Sequence, residues 1–446
     1  MNIQQAKEEI KYAVQAYLEK DPNGQFCLEE RFCRPLLLIG APGIGKTAIM
    51  RQIADEMGIN LVSYTITHHT RQSAIGLPVV EKRQFGGEEY SVTEYTMSEI
   101  VAEVYQQIEC SGIDEGILFL DEINCVSETL LPTMLQFLQY KTFGTHKVPR
   151  GFVIVCAGNP PQYNRSAREF DIVTLDRVRR MDIEVDLDVF FSYAGRVRMH
   201  GAVQAFLDIK KDCFYRIRTD VEETHFVTER SWEDLSQMLL SYERNGFPVT
   251  AQMVGEYLED PEIAEAFFVY YRLYQKYHSD FAIADILAGT YTEGGESVAN
   301  APFDEKLSLL HLLLDALTGR FFEYDERKQS QETRLAVLRG NKETMEPSAF
   351  EAEKARFEKD EDARQDAIDE TDAMLTRAFS FLDRTFGEGQ EMVLFLTALG
   401  RSHYAKLFLS DCGNDAYEKY SHLLLLRDER RKLTEEIKDR RQDFSI

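Results

Sequence analysis

An apolar run, Pro35-Leu36-Leu37-Leu38-Ile39, feeds directly into Gly40-Ala41-Pro42-Gly43-Ile44-Gly45-Lys46-Thr47 and then into the helical pattern Ala48-Ile49-Met50-Arg51-Gln52-Ile53-Ala54. Strand, glycine-rich loop and helix in immediate succession restrict the fold more than any other stretch. The glycines let backbone N–H groups converge on phosphate oxygens at a helix N-terminus, where unpaired amides and the helix dipole favour negative charge. Lys46 is spaced to reach the β- and γ-phosphates, and Thr47 to place its hydroxyl on Mg²⁺. A G-x4-G-K-[ST] string also arises by chance in glycine-rich loops. The flanking strand and helix are the context that a chance match lacks, so the chain is expected to bind a nucleoside triphosphate.

From about residue 30 to 190, short β-rich apolar runs alternate with helical patterns: Pro35 to Ile39, Leu61 to Ile66, Gly116 to Leu120, Phe152 to Ala157 and Met181 to Val185. Alternation of this kind predicts βαβ units and a mostly parallel sheet with helices on both faces, an α/β fold. Inside it, Pro78 to Phe85 and Glu88 to Tyr95 flank Gly86-Gly87, a β-hairpin signature. After residue 190 helical periodicity dominates. Trp232, the single tryptophan, is expected in the core of this all-α part, and the Gly294-Gly295 loop within Gly289 to Pro302 marks a boundary. Residues 324 to 372 are densely charged and read as long solvated helices forming a hairpin, whereas 373 to 427 return to apolar helices.

At 446 residues the chain exceeds what one core usually serves, so two or three domains are expected. Net charge is −25, from 51 basic and 76 acidic residues. Sequence-independent binding to DNA needs a basic track, so proteins are favoured over nucleic acid as partners. No apolar run is long enough to span a membrane, and Met1 to Asp21 reads as an amphipathic helix, not a leader; a soluble, cytoplasmic protein is expected. The seven cysteines (27, 33, 110, 125, 156, 213 and 412) are scattered without a C-x2-C pair and read as reduced thiols.

Hydrolysis needs a metal-holding carboxylate and a group that activates water. Ile117-Leu118-Phe119-Leu120-Asp121-Glu122 supplies both at a strand's C-terminal end, where ligands sit in α/β sheets: Asp121 for the Mg²⁺ shell, Glu122 as general base. An acidic pair after a strand also suits a plain helix N-terminus. Asn159, after the strand Phe152 to Ala157, would sit beside the γ-phosphate and could hold the lytic water, though taken alone an Asn before Pro is more often a turn residue. Leu175-Asp176-Arg177-Val178-Arg179-Arg180 and Thr228-Glu229-Arg230-Ser231-Trp232 bring arginines of the kind that stabilise transition-state charge, in one case from a neighbouring subunit.

In order and spacing this set resembles the AAA+ ATPases, and most closely the MoxR family within the clade carrying a helix-2 insert and a hairpin before sensor 1. The likeness covers about residues 30 to 240. It implies that Gly40, Ala41, Pro42, Gly43, Ile44, Gly45, Lys46 and Thr47 form Walker A, Asp121 and Glu122 Walker B, Asn159 sensor 1, Arg177 the arginine finger and Arg230 sensor 2. Arg179 and Arg180 stand close enough in sequence to take the finger role. Glu229 occupies a place where MoxR-like proteins often carry Pro. The segments 76–95 and 141–151 resemble the helix-2 insert and the pre-sensor-1 hairpin. The likeness implies an AAA+ P-loop αβα core over 1–205 and an all-α lid over 206–302, leaving 303–446 as a helical C-terminal extension outside the shared core.

Three functions follow as expectations. The first is an ATP- and Mg²⁺-dependent ATPase in a homo-oligomeric, hexameric ring that remodels a protein client. By resemblance the client class carries a von Willebrand factor A domain. The second is an ATP-gated assembly scaffold with little turnover, the third a nucleic-acid motor. For the third, Lys141, Lys147 and Arg150 offer the only basic channel charge, against a strongly acidic whole.

Overall fold

A computed structural model of the protein describes residues 1–68, 76–128, 130–143, 145–164, 166–219, 223–280, 283–291, 299–340 and 347–424. Gly294-Gly295 of the expected boundary loop lies outside them. The chain divides into two compact units, Met1–Val189 with Thr228–Arg230, and Phe190–Val227 with Ser231–Ile446.

The first unit holds α1 (Ile3–Leu18), β1 (Leu36–Gly40), α2 (Lys46–Met57), β2 (Asn60–Thr65), β3 (Pro78–Phe85), β4 (Glu88–Tyr95), α3 (Glu99–Ser111), β5 (Gly116–Asp121), α4 (Leu131–Tyr140), β6 (Thr142–Phe143), β7 (His146–Lys147), β8 (Phe152–Gly158), the short α5 (Ile172–Leu175) and β9 (Arg179–Ile183). The expected parallel sheet has five strands in the order β2-β5-β8-β1-β9. Its inner strands β5 and β8 are buried almost throughout, which is why they read as continuous apolar runs and not as alternating ones. Register sets the upper edge of the sheet: Gly40 of β1 lies opposite Ile183 of β9, Ile39 opposite Gly158 of β8, and Thr65 of β2 opposite Asp121 of β5. The C-terminal ends of all five strands therefore come to one edge.

The last strand begins two residues earlier than expected, at Arg179, because Arg179 and Arg180 are exposed and their charge hides the strand pattern. The hairpin β3–β4 forms with Phe85 opposite Glu88, so that Gly86 and Gly87 are the two turn residues, with φ of 63° and 92°. Two successive positive φ values are what a two-residue hairpin matching the strand twist requires. Nearly every residue of this hairpin is exposed, Val79, Val80, Phe85 and Tyr90 among them. The segment 141–151 contains the short β6–β7 ladder, whose Phe143 stacks on Phe137 of α4 at 3.9 Å between ring centroids.

The second unit continues through α6 (Leu187–Arg196), α7 (Gly201–Ile209), β10 (Arg216–Thr219), β11 (Thr224–Val227), α8 (Glu229–Asn245), α9 (Ala251–Gly255), α10 (Pro261–Asp280), α11 (Ile283–Ala288), α12 (Phe303–Gly340), α13 (Pro347–Phe386), α14 (Gln390–Arg401) and α15 (His403–Cys412). The hairpin β10–β11 was not expected; two four-residue strands give too short a pattern to stand out between helices. Trp232 is fully buried among Phe206 and Phe267, and its indole N–H donates to the Phe214 carbonyl at 3.0 Å. The apolar stretch from residue 303 and the charged stretch after 324 are one unbroken helix, α12, paired with α13 through Arg334 and Asp360 and through Arg327 to the Ala363 carbonyl. All seven cysteines are free thiols. Among the described residues no helix is long and apolar enough to cross a membrane.

Candidate functional site

The glycine-rich loop spans the gap between Gly40 at the end of β1 and Lys46 at the start of α2. Gly43 and Gly45 have φ of 73° and 80°, in the left-handed region. A Cβ on Gly43 would stand 2.7 Å from Thr228 Oγ1, so both the backbone angle and the packing demand glycine there. The Gly43 carbonyl accepts from the Arg230 backbone N–H at 3.2 Å, which binds the start of α8 to the loop.

Lys46 is almost wholly buried, and its ammonium spends its three donors inside the protein: on the carbonyls of Gly40 (2.9 Å) and Ala41 (2.7 Å) and on Asn159 Oδ1 (2.9 Å). Burial pushes its pKa down to about 8; the Asp121 carboxylate pulls it up, the Arg230 cation pushes it further down, and Glu229 pulls it up. Asn159 is positioned from behind by Asn124, whose side-chain amide donates to the Asn159 carbonyl at 2.7 Å.

The Thr47 hydroxyl donates to Asp121 Oδ2 at 2.8 Å. A hydroxyl and a carboxylate side by side suit Mg²⁺, which takes one or two protein oxygens and completes its shell with phosphates and water. Among the described residues no group of three or more His, Cys, Asp or Glu side chains could hold a metal ion. Glu122, next in the chain, has φ of 55°, a left-handed conformation costing about 1–2 kcal/mol for a residue with a Cβ. Its Oε2 accepts from the Thr67 hydroxyl at 3.0 Å.

Lys46, Thr47, Asp121, Glu122, Asn159 and the backbone of Arg230 thus converge at the C-terminal edge of the sheet. Arg177 does not join them. It lies two residues before β9, whose Arg179 is opposite Leu36, the first residue of β1, while the phosphate loop follows Gly40 at the last. Four residues of strand put about 13 Å of sheet between those levels. Among the described residues the Arg177 guanidinium makes no hydrogen bond or ion pair, although its charge helps hold the Asp171 carboxyl below its usual range, behind the Thr174 hydrogen bonds that do most of this. Arg179 is paired with Glu9 and Arg180 with Asp182 at 2.8 Å. Arg180 also walls a cleft of about 620 Å³ that opens beside Gly40, Ala41 and Asn159.

Thr67 and Asn124 escaped the sequence reading. Thr67 stands beside Glu122 only because β2 pairs with β5, a register no local pattern carries. Asn124 lies in the turn after Glu122 and was hidden by the stronger acidic pair.

Residues 35–178 match the family described as AAA domain (dynein-related subfamily). No curated protein matches the chain. From the first strand of the sheet to the threshold of the last, then, this chain carries an AAA domain of the dynein-related subfamily, and with it a nucleotide-binding P-loop ATPase domain.

Proposed function

We propose that the protein is a MoxR-like AAA+ ATPase that hydrolyses ATP with Mg²⁺ in a cytoplasmic, homo-oligomeric, hexameric ring and so remodels, assembles or activates a protein client. The observation that carries this reading is the division of the site: the phosphate-facing groups meet at one edge of the sheet, and Arg177 stands at the other. A chain built this way keeps Arg177 away from its own site and can supply it to a neighbour's. Head-to-tail contacts of that sort close into rings.

The loop amides, Lys46 and Arg230 bind the phosphates. Thr47 and Asp121 would hold Mg²⁺, which supplies charge neutralisation on the phosphate oxygens. Once phosphate draws Lys46 away from Asn159, the freed amide orients the attacking water. Glu122, released from Thr67, accepts that water's proton. Arg177 of the adjacent subunit offsets the charge developing on the transferred phosphoryl group, an effect of about 10³–10⁵ in rate for such fingers. In this reading residues 1–205 are the AAA+ core, 206–302 the lid and 303–446 an extension.

The client is proposed to carry a von Willebrand factor A domain, by family resemblance, and the exposed apolar residues of β3–β4 suit contact with protein. The motor reading is disfavoured because its basic residues are engaged. Lys147 is paired with Glu30, Arg150 donates to the Leu28 carbonyl and lies over the Phe26 ring at 4.5 Å, and Lys141 is buried enough for its pKa to be lowered. One observation favours the scaffold reading: Glu122 is held by Thr67 rather than left free.

Hydrolysis per subunit, measured against protein concentration for wild type and Arg177→Ala, tests the proposal. Turnover that climbs cooperatively with concentration and collapses in the variant is expected. Concentration-independent turnover, or an unaffected variant, would refute the shared site.

A further inference from the structure

The helical unit contains a cavity of about 510 Å³ that no part of the ATPase reading uses. It lies where α6, α7, α8, α12 and the end of α14 converge, so residues far apart in sequence form one wall. Its floor is apolar, from Phe191, Ala194, Leu240 and Leu314, and its rim is charged. That combination is typical of small-molecule sites, in which an apolar body is buried and a few polar groups fix its orientation.

The rim charges do not cancel. Arg198, Arg244 and Arg401 face Asp208 and Asp315. Asp208 is already neutralised: it takes His311 Nε2 at 3.3 Å and the Arg401 guanidinium at 3.2 Å. Although burial raises its pKa, these partners hold the carboxyl below its usual range, so it stays charged and engaged. Among the described residues neither Arg198 nor Arg244 has a carboxylate partner. Arg198 lies over the Phe322 ring at 4.7 Å, and it does so from a backbone with φ of 52°. A left-handed backbone is uncommon for a residue with a Cβ. With Asp208 and Arg401 set against each other, Asp315 is the one carboxylate of the lining left beside the two guanidiniums, so the concavity keeps an excess of positive charge in a chain of net charge −25.

We propose that this cavity binds a small organic anion, a carboxylate or phosphate monoester on an apolar body, with Arg198 and Arg244 clamping the anionic head. Guanidinium forks match both heads through paired N–H donors, which is why the head group is assigned as an anion and its two chemistries are separated by experiment.

Phenyl phosphate, benzoate and neutral benzamide are titrated calorimetrically into the full-length protein at millimolar concentration. At least one anion binds, its identity distinguishing phosphate from carboxylate, and benzamide binds at least about tenfold more weakly, the scale of a charge-assisted hydrogen bond. The double variant Arg198→Asn and Arg244→Gln loses that binding; asparagine tolerates the left-handed backbone. Arg244→Gln alone, at an exposed helical position, carries the test if the double variant melts early. Lys46→Ala, which removes the phosphate-loop ammonium, leaves binding intact. Failure of both anions to bind, equal binding of benzamide, or retention in the arginine variants would overturn the proposal. Loss in Lys46→Ala would too, by assigning the anion to the nucleotide site.

Discussion

Nucleotide affinity should fall as pH rises through 8, because Lys46 is charged in a place that disfavours charge. Burial lowers its pKa from 10.5 to about 8, with Asp121 opposing and Arg230 assisting. A shift of that size is about 3 kcal/mol against the protonated form. A bound triphosphate brings several negative charges to the same ammonium and restores its preference for the proton. Below 8 both free and bound Lys46 are protonated, and this group leaves affinity flat. Above 8 binding takes up a proton, and affinity falls about tenfold per pH unit until the bound-state pKa is reached. Stability carries the matching sign. Between 8 and 10.5 the unfolded chain keeps a proton that the folded, nucleotide-free chain has released, so the Lys46 contribution to stability rises with pH across that window. Nucleotide-bound protein lacks the rise. The assay is calorimetric titration with a non-hydrolysable ATP analogue and Mg²⁺ from about pH 7 to about pH 10, in buffers of different ionisation heat so that proton uptake is read directly. Lys46→Arg is the control, since a guanidinium stays protonated throughout. A wild-type profile that runs parallel to the arginine control, or binding above pH 8 without proton uptake, would refute the reasoning.

Glu122→Gln should keep nucleotide affinity and lose turnover by about 10²–10⁴-fold, the usual size of a general base, whereas Thr67→Ala frees the carboxylate and should raise basal turnover. Matching losses in the two variants would mean that Thr67 supports the active geometry and does not restrain it. Gly43→Ala should destabilise the first unit by more than Gly45→Ala. Both must hold a positive φ, at about 1–2 kcal/mol, but only Gly43 would drive a Cβ into Thr228, while nothing lies within 4 Å of one on Gly45. Thermal melts compare the two, and equal shifts would remove the Thr228 clash from the account.

The phosphate loop and the acidic pair were legible in sequence because their chemistry is local: Gly40, Gly43 and Gly45 directly before Lys46 and Thr47, and, further along, two acids immediately after a buried strand. The glycine pair in β3–β4 was legible for the same reason, since a two-residue turn writes its own φ requirement into the chain. What sequence could not carry was registry. Thr67 reaches Glu122, and Lys46 reaches Asn159, only because β2, β5, β8 and β1 are neighbours in an order unlike their order in the chain. The start of β9 was misplaced because two exposed arginines on an edge strand look like loop. The cavity of the helical unit was invisible, for its rim gathers Arg198 from the turn between α6 and α7, Arg244 from α8 and Arg401 from α14, with no shared motif.

The distance between Arg177 and its own phosphate loop has a genetic consequence. If each site is shared, a defect at Lys46 and a defect at Arg177 belong to different sites even when they lie in one polypeptide. Two inactive variants, one lacking each residue, would therefore restore each other on mixing. In a randomly mixed ring of equal proportions about a quarter of the interfaces would pair an intact loop with an intact arginine. Conversely, a single subunit carrying both defects would silence two adjacent sites, its own and its neighbour's, so such a chain would poison wild-type rings out of proportion to its abundance.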